Sequence, residues 1–298
     1  SMMQSSVNLR GLTWQEVELT GPATCDLEEL EAYLSAFKVG GWVVEAEPPH
    51  WRWVLYMPCV GEWRARWEEL LAGLAQLGVA ARVRQNIVDE DWAECWKRYY
   101  HPLRFGRHLV VCPSWERATF QAAEGDKVLV LDPGMAFGTG SHATTALCLE
   151  LLEKYLPQLH PPRLLDVGTG SGILALAAAL LGVPQIVASD SDPVAVKVAQ
   201  ENCELNKLED RIEILEFIGV PLDQGTFPVV CANLVASLLC RLSAPLAQAL
   251  TPQGVLIASG IVLEREEEVV EAMAQEGLVV KERCLREGWV ALVLGKKD

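Results

Sequence analysis

The chain has 298 residues, half of them apolar, and a net charge of −15. That length suits two domains of ordinary size with a real core. The acidity argues against a surface that tracks nucleic-acid phosphates and leaves a basic protein or a small molecule as the expected substrate.

Cysteine and targeting signals set further bounds. Cys25, Cys59, Cys95, Cys112, Cys148, Cys203, Cys231, Cys240 and Cys284 form no C-x-x-C pair, and no histidine stands at ligand spacing. They read as reduced thiols of a cytosolic protein without a metal site. No basic-then-apolar segment opens the chain, so no signal peptide is expected. The longest apolar run, Ile173 to Val183, is about half a membrane span and belongs to a core.

Eight of the ten tryptophans lie before residue 100, and only Trp289 lies beyond Trp115, so two parts of the chain differ in character. The first part reads as a strand from Leu12 to Leu19, a helix capped by Asp26 and running to about Phe37, and strands at Trp42–Glu47 and Trp51–Met57 around Pro48-Pro49. A helix from Glu62 to Leu77 follows, with Trp63, Trp67, Leu70, Leu71 and Leu74 on one stripe. Val79 to Val88 is a last strand. The order βαββαβ predicts a ferredoxin-like α+β domain over residues 1–88. It carries no catalytic constellation, and its aromatics suggest recognition or, more commonly, core packing.

Residues 89–125 read as a linker. A short helix spans Asp89 to Tyr100, a strand covers Arg104 to Cys112, and a connection runs from Pro113 to Asp126. In VLVLDPGMAFGTGSHATTALCLELL, from Val128 to Leu152, three glycines separate a strand from a helix that opens on Thr144 and Thr145. This turn could close over a ligand or be an ordinary loop with hydroxyl caps. His142 is equally open, since nothing near it in sequence orients it.

The stretch LLDVGTGSGILALAAAL, from Leu164 to Leu180, carries the most chemistry. An apolar strand runs into Gly168, Gly170 and Gly172, which allow positive φ and close ligand approach. The helix after them points free N–H groups at the turn. A dinucleotide site wants G-x-G-x-x-G. Here the pattern is D-x-G-x-G-x-G, with Ile173 where the third glycine should stand. Asp166 at the strand end is awkward for a diphosphate and suits a cation, which favours S-adenosylmethionine. A second strand ends at Asp190, placed to accept ribose hydroxyls. Asp192, before Pro193 and a helical run to Asn206, is either a further ligand or a helix cap.

Alternation continues with strands at Arg211–Phe217 and Pro228–Ala232, a helix at Leu234–Leu250, a strand at Gly254–Ser259 and an acidic helix at Glu264–Glu276. Leu278–Arg286 and Trp289–Leu294 are separated only by Glu287 and Gly288. That is too short for a crossover, so they form an antiparallel hairpin. The fold expected over residues 126–298 is a Rossmann-like, mostly parallel sheet with an antiparallel last strand.

The motifs LDPGMAFGTGSHATT, LLDVGTGSGILA, ASDSDPVAV, VVCANLVASLL and SGIVLEREEEV resemble those of the PrmA family, the methyltransferases of bacterial ribosomal protein L11. The likeness covers nearly the whole chain. It implies a substrate-recruiting N-terminal domain, a flexible linker and a seven-stranded class I methyltransferase domain. The implied activity is S-adenosylmethionine-dependent N-methylation of lysine ε-amino and N-terminal α-amino groups of L11, by a cytoplasmic monomer with no direct nucleic-acid or membrane contact. Cofactor contacts carry over onto Thr145, Gly168, Asp190 and Asn233, beside Asp166, Gly170 and Gly172 from the residues themselves. Ser141-His142-Ala143 departs from the family's Thr-His-Pro, and Glu216 to Leu222 shows no pattern from which adenine contacts can be placed.

Methyl transfer needs an uncharged amine aligned with the methyl carbon and sulfur, and free lysine titrates near ~10.4. Asn233, at a strand end, suits the role of acceptor for the amine's protons. It resembles the Asn-Pro-Pro-aromatic motif of amino methyltransferases, with Leu234 and Val235 in place of the prolines; the alternative is a helix-capping asparagine. Rival readings are a methyltransferase for another protein or a small-molecule amine, a nicotinamide oxidoreductase, and a non-enzymatic adaptor with a vestigial cofactor fold.

Overall fold

The computed structural model describes residues 13–37, 42–59, 63–88, 101–131 and 143–298. The expected helix at 89–100, the glycine loop before Ala143 and His142 lie outside the described residues. The rest divides into two units, one up to His101 and one from Pro102 onward.

The first unit contains β1 (Thr13–Thr20), α1 (Leu27–Phe37), β2 (Trp42–Ala46), β3 (Arg52–Pro58), α2 (Trp63–Gln76) and β4 (Ala80–Val88). Its sheet order is β2-β3-β1-β4 with every pairing antiparallel, the arrangement expected of a ferredoxin-like unit. Asp26 opens α1 by accepting the Glu29 N–H at 3.1 Å. Four of the tryptophans are spent on packing. Trp42 stacks on Trp53 with centroids 6.2 Å apart, and Trp51 meets Trp53 edge-on at 6.0 Å. Together with Trp14 they are buried, so these aromatics form no exposed recognition face.

In the second unit, β5 (Leu103–Phe105), β6 (Leu109–Cys112) and β7 (Lys127–Val130) form a small sheet. The single strand expected over Arg104–Cys112 is a hairpin instead. Gly106 bends it with φ +58°, and a Cβ there would stand 2.3 Å from the Glu153 carboxylate. That carboxylate accepts the N–H groups of Arg107, His108 and Leu109 at 2.5, 3.0 and 3.0 Å. Phe105, Leu109, Val111 and Leu129 then enter the main core. Residues 102–125, expected as linker, therefore pack with the unit that follows them.

The main sheet uses β8 (Arg163–Val167), β9 (Gln185–Asp190), β10 (Ile212–Glu216), β11 (Phe227–Asn233), β12 (Leu250–Val262), β13 (Leu278–Arg286) and β14 (Trp289–Lys296), in the order β10-β9-β8-β11-β12-β14-β13. Pairings from β10 through β12 are parallel, and β14 runs antiparallel to both β12 and β13. This is the doubly wound sheet with a terminal hairpin that the two-residue Glu287-Gly288 link requires.

Helices α3 (Ala143–Leu159) and α4 (Ile173–Leu180) belong to the core on one face. Buried from Ile173 through Ala179, α4 is apolar all round because neighbours cover it on every side. On the other face lie α6 (Ala236–Arg241), α7 (Ser243–Gln248) and α8 (Glu266–Gln275); α5 (Pro193–Leu205) follows β9. The helix expected over Leu234–Leu250 is broken at Leu242. Pro245 has no N–H for the Arg241 carbonyl, and its ring crowds that turn. Among the described residues no helix is long and apolar enough to cross a membrane.

Glu153 joins α3 to the β5–β6 turn through three backbone donors, so Glu153→Ala is expected to lower stability by about 1–3 kcal/mol. Glu153→Gln, which keeps an acceptor, should fall in between. Urea unfolding measures both, and wild-type stability in the alanine variant would refute the assignment.

Candidate functional site

The site lies where the sheet order reverses. From β8 the chain proceeds to β9 and β10 on one side, then crosses to β11 on the other, leaving a crevice at the carboxyl ends of β8 and β11. Register brings the strand ends level: Val167 pairs with Ser189 and Ala232, and Asn233 pairs with Ser259.

The turn after β8 passes through positive φ at Gly168, Gly170 and Gly172, at +73°, +56° and +87°. A Cβ on Gly168 would lie 2.5 Å from Leu234 Cδ2, the movable tip of a side chain, so it is the backbone conformation at φ +73° that calls for glycine here. The Gly168 and Thr169 N–H groups donate to the Ser189 carbonyl at 2.8 and 2.9 Å. Asn202 on α5 donates to the Ser171 carbonyl at 2.8 Å.

Two carboxyls flank this bend. Asp190 accepts the Gly170 N–H at 2.9 Å and the Asp192 N–H at 2.9 Å. Burial raises its pKa, against the pull of those amides. Asp166 is buried, and burial raises its pKa to about 7. The Thr169 hydroxyl, donating to Oδ2 at 2.7 Å, and the Ala175 N–H lower it, while the charge of Asp190 raises it. Asp166 Oδ1 and the buried Ser189 Oγ have no hydrogen-bond partner. Unpaired buried polar atoms are costly, and Asp166 stands two residues before the first glycine of the turn.

Asp192 resolves to its duller role. It caps α5 by accepting the Val194 N–H at 2.9 Å, with Pro193 at the first helical position. Asn233 meets Thr145, its Nδ2 donating to Thr145 Oγ1 at 3.3 Å across 88 residues of sequence. Leu234 explains the missing proline: its N–H donates to the Ser259 carbonyl at 3.0 Å, a bond proline cannot make. Gly260, at φ +87°, lies under this corner, where a Cβ would stand 2.5 Å from the Leu234 carbonyl oxygen and 3.1 Å from Asn233 Oδ1. Sequence reasoning gave Thr169, Ser189, Ser259 and Gly260 no role. For Thr169 a signal existed, three residues past an aspartate at a strand end; for the other three the contacts are set by register.

The donor set fits a cationic nucleoside. An unpaired carboxylate oxygen, a strand-end acid and a glycine bend are present, and among the described residues no group of three His, Cys, Asp or Glu could hold a metal.

A family model described as "Ribosomal protein L11 methyltransferase (PrmA)" matches residues 60–297. A ribosomal protein L11 methyltransferase of Pelotomaculum thermopropionicum is 48% identical over 240 residues, spanning 80% of this chain and 77% of that protein. Its counterpart in Geobacter sulfurreducens is 50% identical over 210 residues, covering 70% and 67%. The crystal structure of ribosomal protein L11 methylase from Lactobacillus delbrueckii subsp. bulgaricus matches with a TM-score of 0.61 at 32% identity, over 67% of this chain and all of that one.

The raised pKa of Asp166 has a thermodynamic signature. The folded state holds this proton more tightly than the unfolded chain, so the stability it contributes is full below about pH 4 and is lost as pH rises through about 7. Relative to wild type, Asp166→Asn should therefore gain stability between pH 5 and 7, by up to about 1.4 kcal/mol per pH unit, and level off above. Urea unfolding of the ligand-free proteins across that range tests this, and parallel pH profiles would contradict it.

Proposed function

The chain belongs to the ribosomal protein L11 methyltransferase family, and on that premise we propose that it is an S-adenosylmethionine-dependent N-methyltransferase acting on lysine ε-amino and N-terminal α-amino groups of ribosomal protein L11. The observation that carries this reading is the buried, half-paired carboxyl of Asp166 beside a glycine bend whose other wall is Asp190.

When bound, S-adenosylmethionine supplies an electrophilic methyl on a sulfonium. Gly168, Gly170 and Gly172 admit the ligand against backbone, and Asp190 receives the ribose hydroxyls. The charges of Asp166 and Asp190 favour a cation, and a cation beside Asp166 draws its pKa back down. Thr145, hydrogen-bonded to Asn233, is a further cofactor contact.

Asn233 deals with the nucleophile. A substrate amine has to arrive uncharged, and a desolvating site next to a cation lowers its pKa without a dedicated base. With Nδ2 engaged by Thr145 Oγ1, Asn233 Oδ1 is the acceptor that holds the amine's remaining protons and turns its lone pair toward the methyl. Bare Gly260 leaves room beside that oxygen.

The unit up to residue 88 serves as the substrate-recognition domain, since a small-molecule methyltransferase has little use for a separate module. A net charge of −15 suits a basic ribosomal protein as partner. The chain acts as a monomer in the cytoplasm, the compartment where such a substrate is made.

Asn233→Ala is expected to reduce methyl transfer to L11 by about 100-fold or more, the usual scale for removing one preorganised hydrogen-bonding group, while the melting temperature stays near wild type. Single-turnover transfer from labelled cofactor measures it, and unchanged turnover would remove Asn233 from the mechanism.

A further inference from the structure

Three features of the second unit converge on one residue that the proposed mechanism leaves without a role. Ser259 is fully buried in β12. Its Oγ donates to the Thr144 carbonyl at 2.9 Å, across 115 residues of sequence. Its own carbonyl accepts the Leu234 N–H at 3.0 Å. One serine thus holds the residue before Thr145 with its side chain and the residue after Asn233 with its backbone.

The backbone is shaped for this. Ala258 pairs with Leu292 and Ile261 with Val290, so β12 carries one residue more than β14 between those pairs, a bulge at Ser259-Gly260. Bulges occur where a strand must re-aim a side chain next to a site. Gly260 lets the chain turn through φ +87° directly against the Leu234 carbonyl, which any Cβ would strike at 2.5 Å. On the other side Ser259 lies against Cys148, one helical turn beyond Thr144, whose thiol burial pushes up to about 12, so this neighbour stays uncharged.

We infer that Ser259 is a positioning residue for methyl transfer: it sets the distance between Thr145 and Asn233, and through it the aim of the Asn233 amide. The Thr145–Asn233 hydrogen bond is long, at 3.3 Å, and N–H···O contacts weaken beyond about 3.2 Å. Both its ends hang on Ser259. Without the hydroxyl, the Thr144 carbonyl loses this hydrogen bond to β12, and Thr145, the partner of the Asn233 amide, is held less closely. This rests on the assignment of Asn233 as the acceptor for the substrate amine.

The test is a double-mutant cycle with a structural readout. Ser259→Ala should lower the single-turnover rate of methyl transfer about 10-fold while leaving the melting temperature near wild type and the S-adenosylmethionine Kd within about 3-fold. In an Asn233→Ala background the same substitution should have no further effect on rate, because the group it positions is gone. In ligand-free, ¹⁵N-labelled protein, Ser259→Ala should shift the Asn233 side-chain amide resonances. Gly260→Ala, which distorts the same bulge, should move those resonances too. Equal rate losses in both backgrounds, an unmoved Asn233 amide, or an Ser259→Ala protein that no longer binds S-adenosylmethionine would each overturn the inference while leaving the proposed function standing. A wild-type protein that transfers no methyl to any amine would overturn both.

Discussion

Burying a carboxyl group costs several kcal/mol unless its oxygens find donors or a cation, and Asp166 has a hydrogen-bond donor for only one of its two oxygens. Much of the second unit can be understood as keeping that group where it is. Parallel strands on both sides bury β8, and apolar α4 covers it on one face. Thr169 in the turn holds Oδ2. The remaining oxygen, with the field of Asp190 behind it, is an unmet demand for positive charge. A pKa drawn up to about 7 is the same demand met by a proton.

Sheet order decides where this demand is felt. Because the chain crosses over between β8 and β11, the helices that follow those strands lie on opposite faces of the sheet, and residues far apart in sequence meet at the strand ends. Asn233 arrives by way of β11, Thr145 by way of α3, and Ser259 from β12 levels both. The antiparallel insertion of β14 next to β12 supports the bulge that makes this possible. The hairpin that marks the fold class thus also braces the strand beside Asn233.

The sequence was most legible where contacts are local. The glycine bend, Asp166 and Asp190 belong to two short stretches whose spacing alone states their geometry, and the period-two and period-3.6 patterns locate most strands and helices. It was least legible where a distant residue decides. Between Leu103 and Cys112 only Gly106 hints at a hairpin, because the carboxylate that organises the turn comes from Glu153, more than forty residues on. Pro245 is a visible breaker inside the apolar run from Leu234 to Leu250. Trp14, Trp42, Trp51 and Trp53 look like a binding surface in one dimension and are a packed core in three. Leu234 departs from the asparagine-proline motif for a reason that lies in a distant strand, the bond from its N–H to Ser259.

The central claim is that Asp166 and Asp190 make the glycine bend a site for a cationic nucleoside. Isothermal titration of S-adenosylmethionine, and of NADH for contrast, into wild type and Asp190→Ala tests it most directly. The account predicts one saturable site for S-adenosylmethionine, weakened about 10- to 100-fold in the variant, about 1.4–2.8 kcal/mol, with no uptake of NADH. Equal affinity in the two proteins, or a preference for NADH, would contradict it.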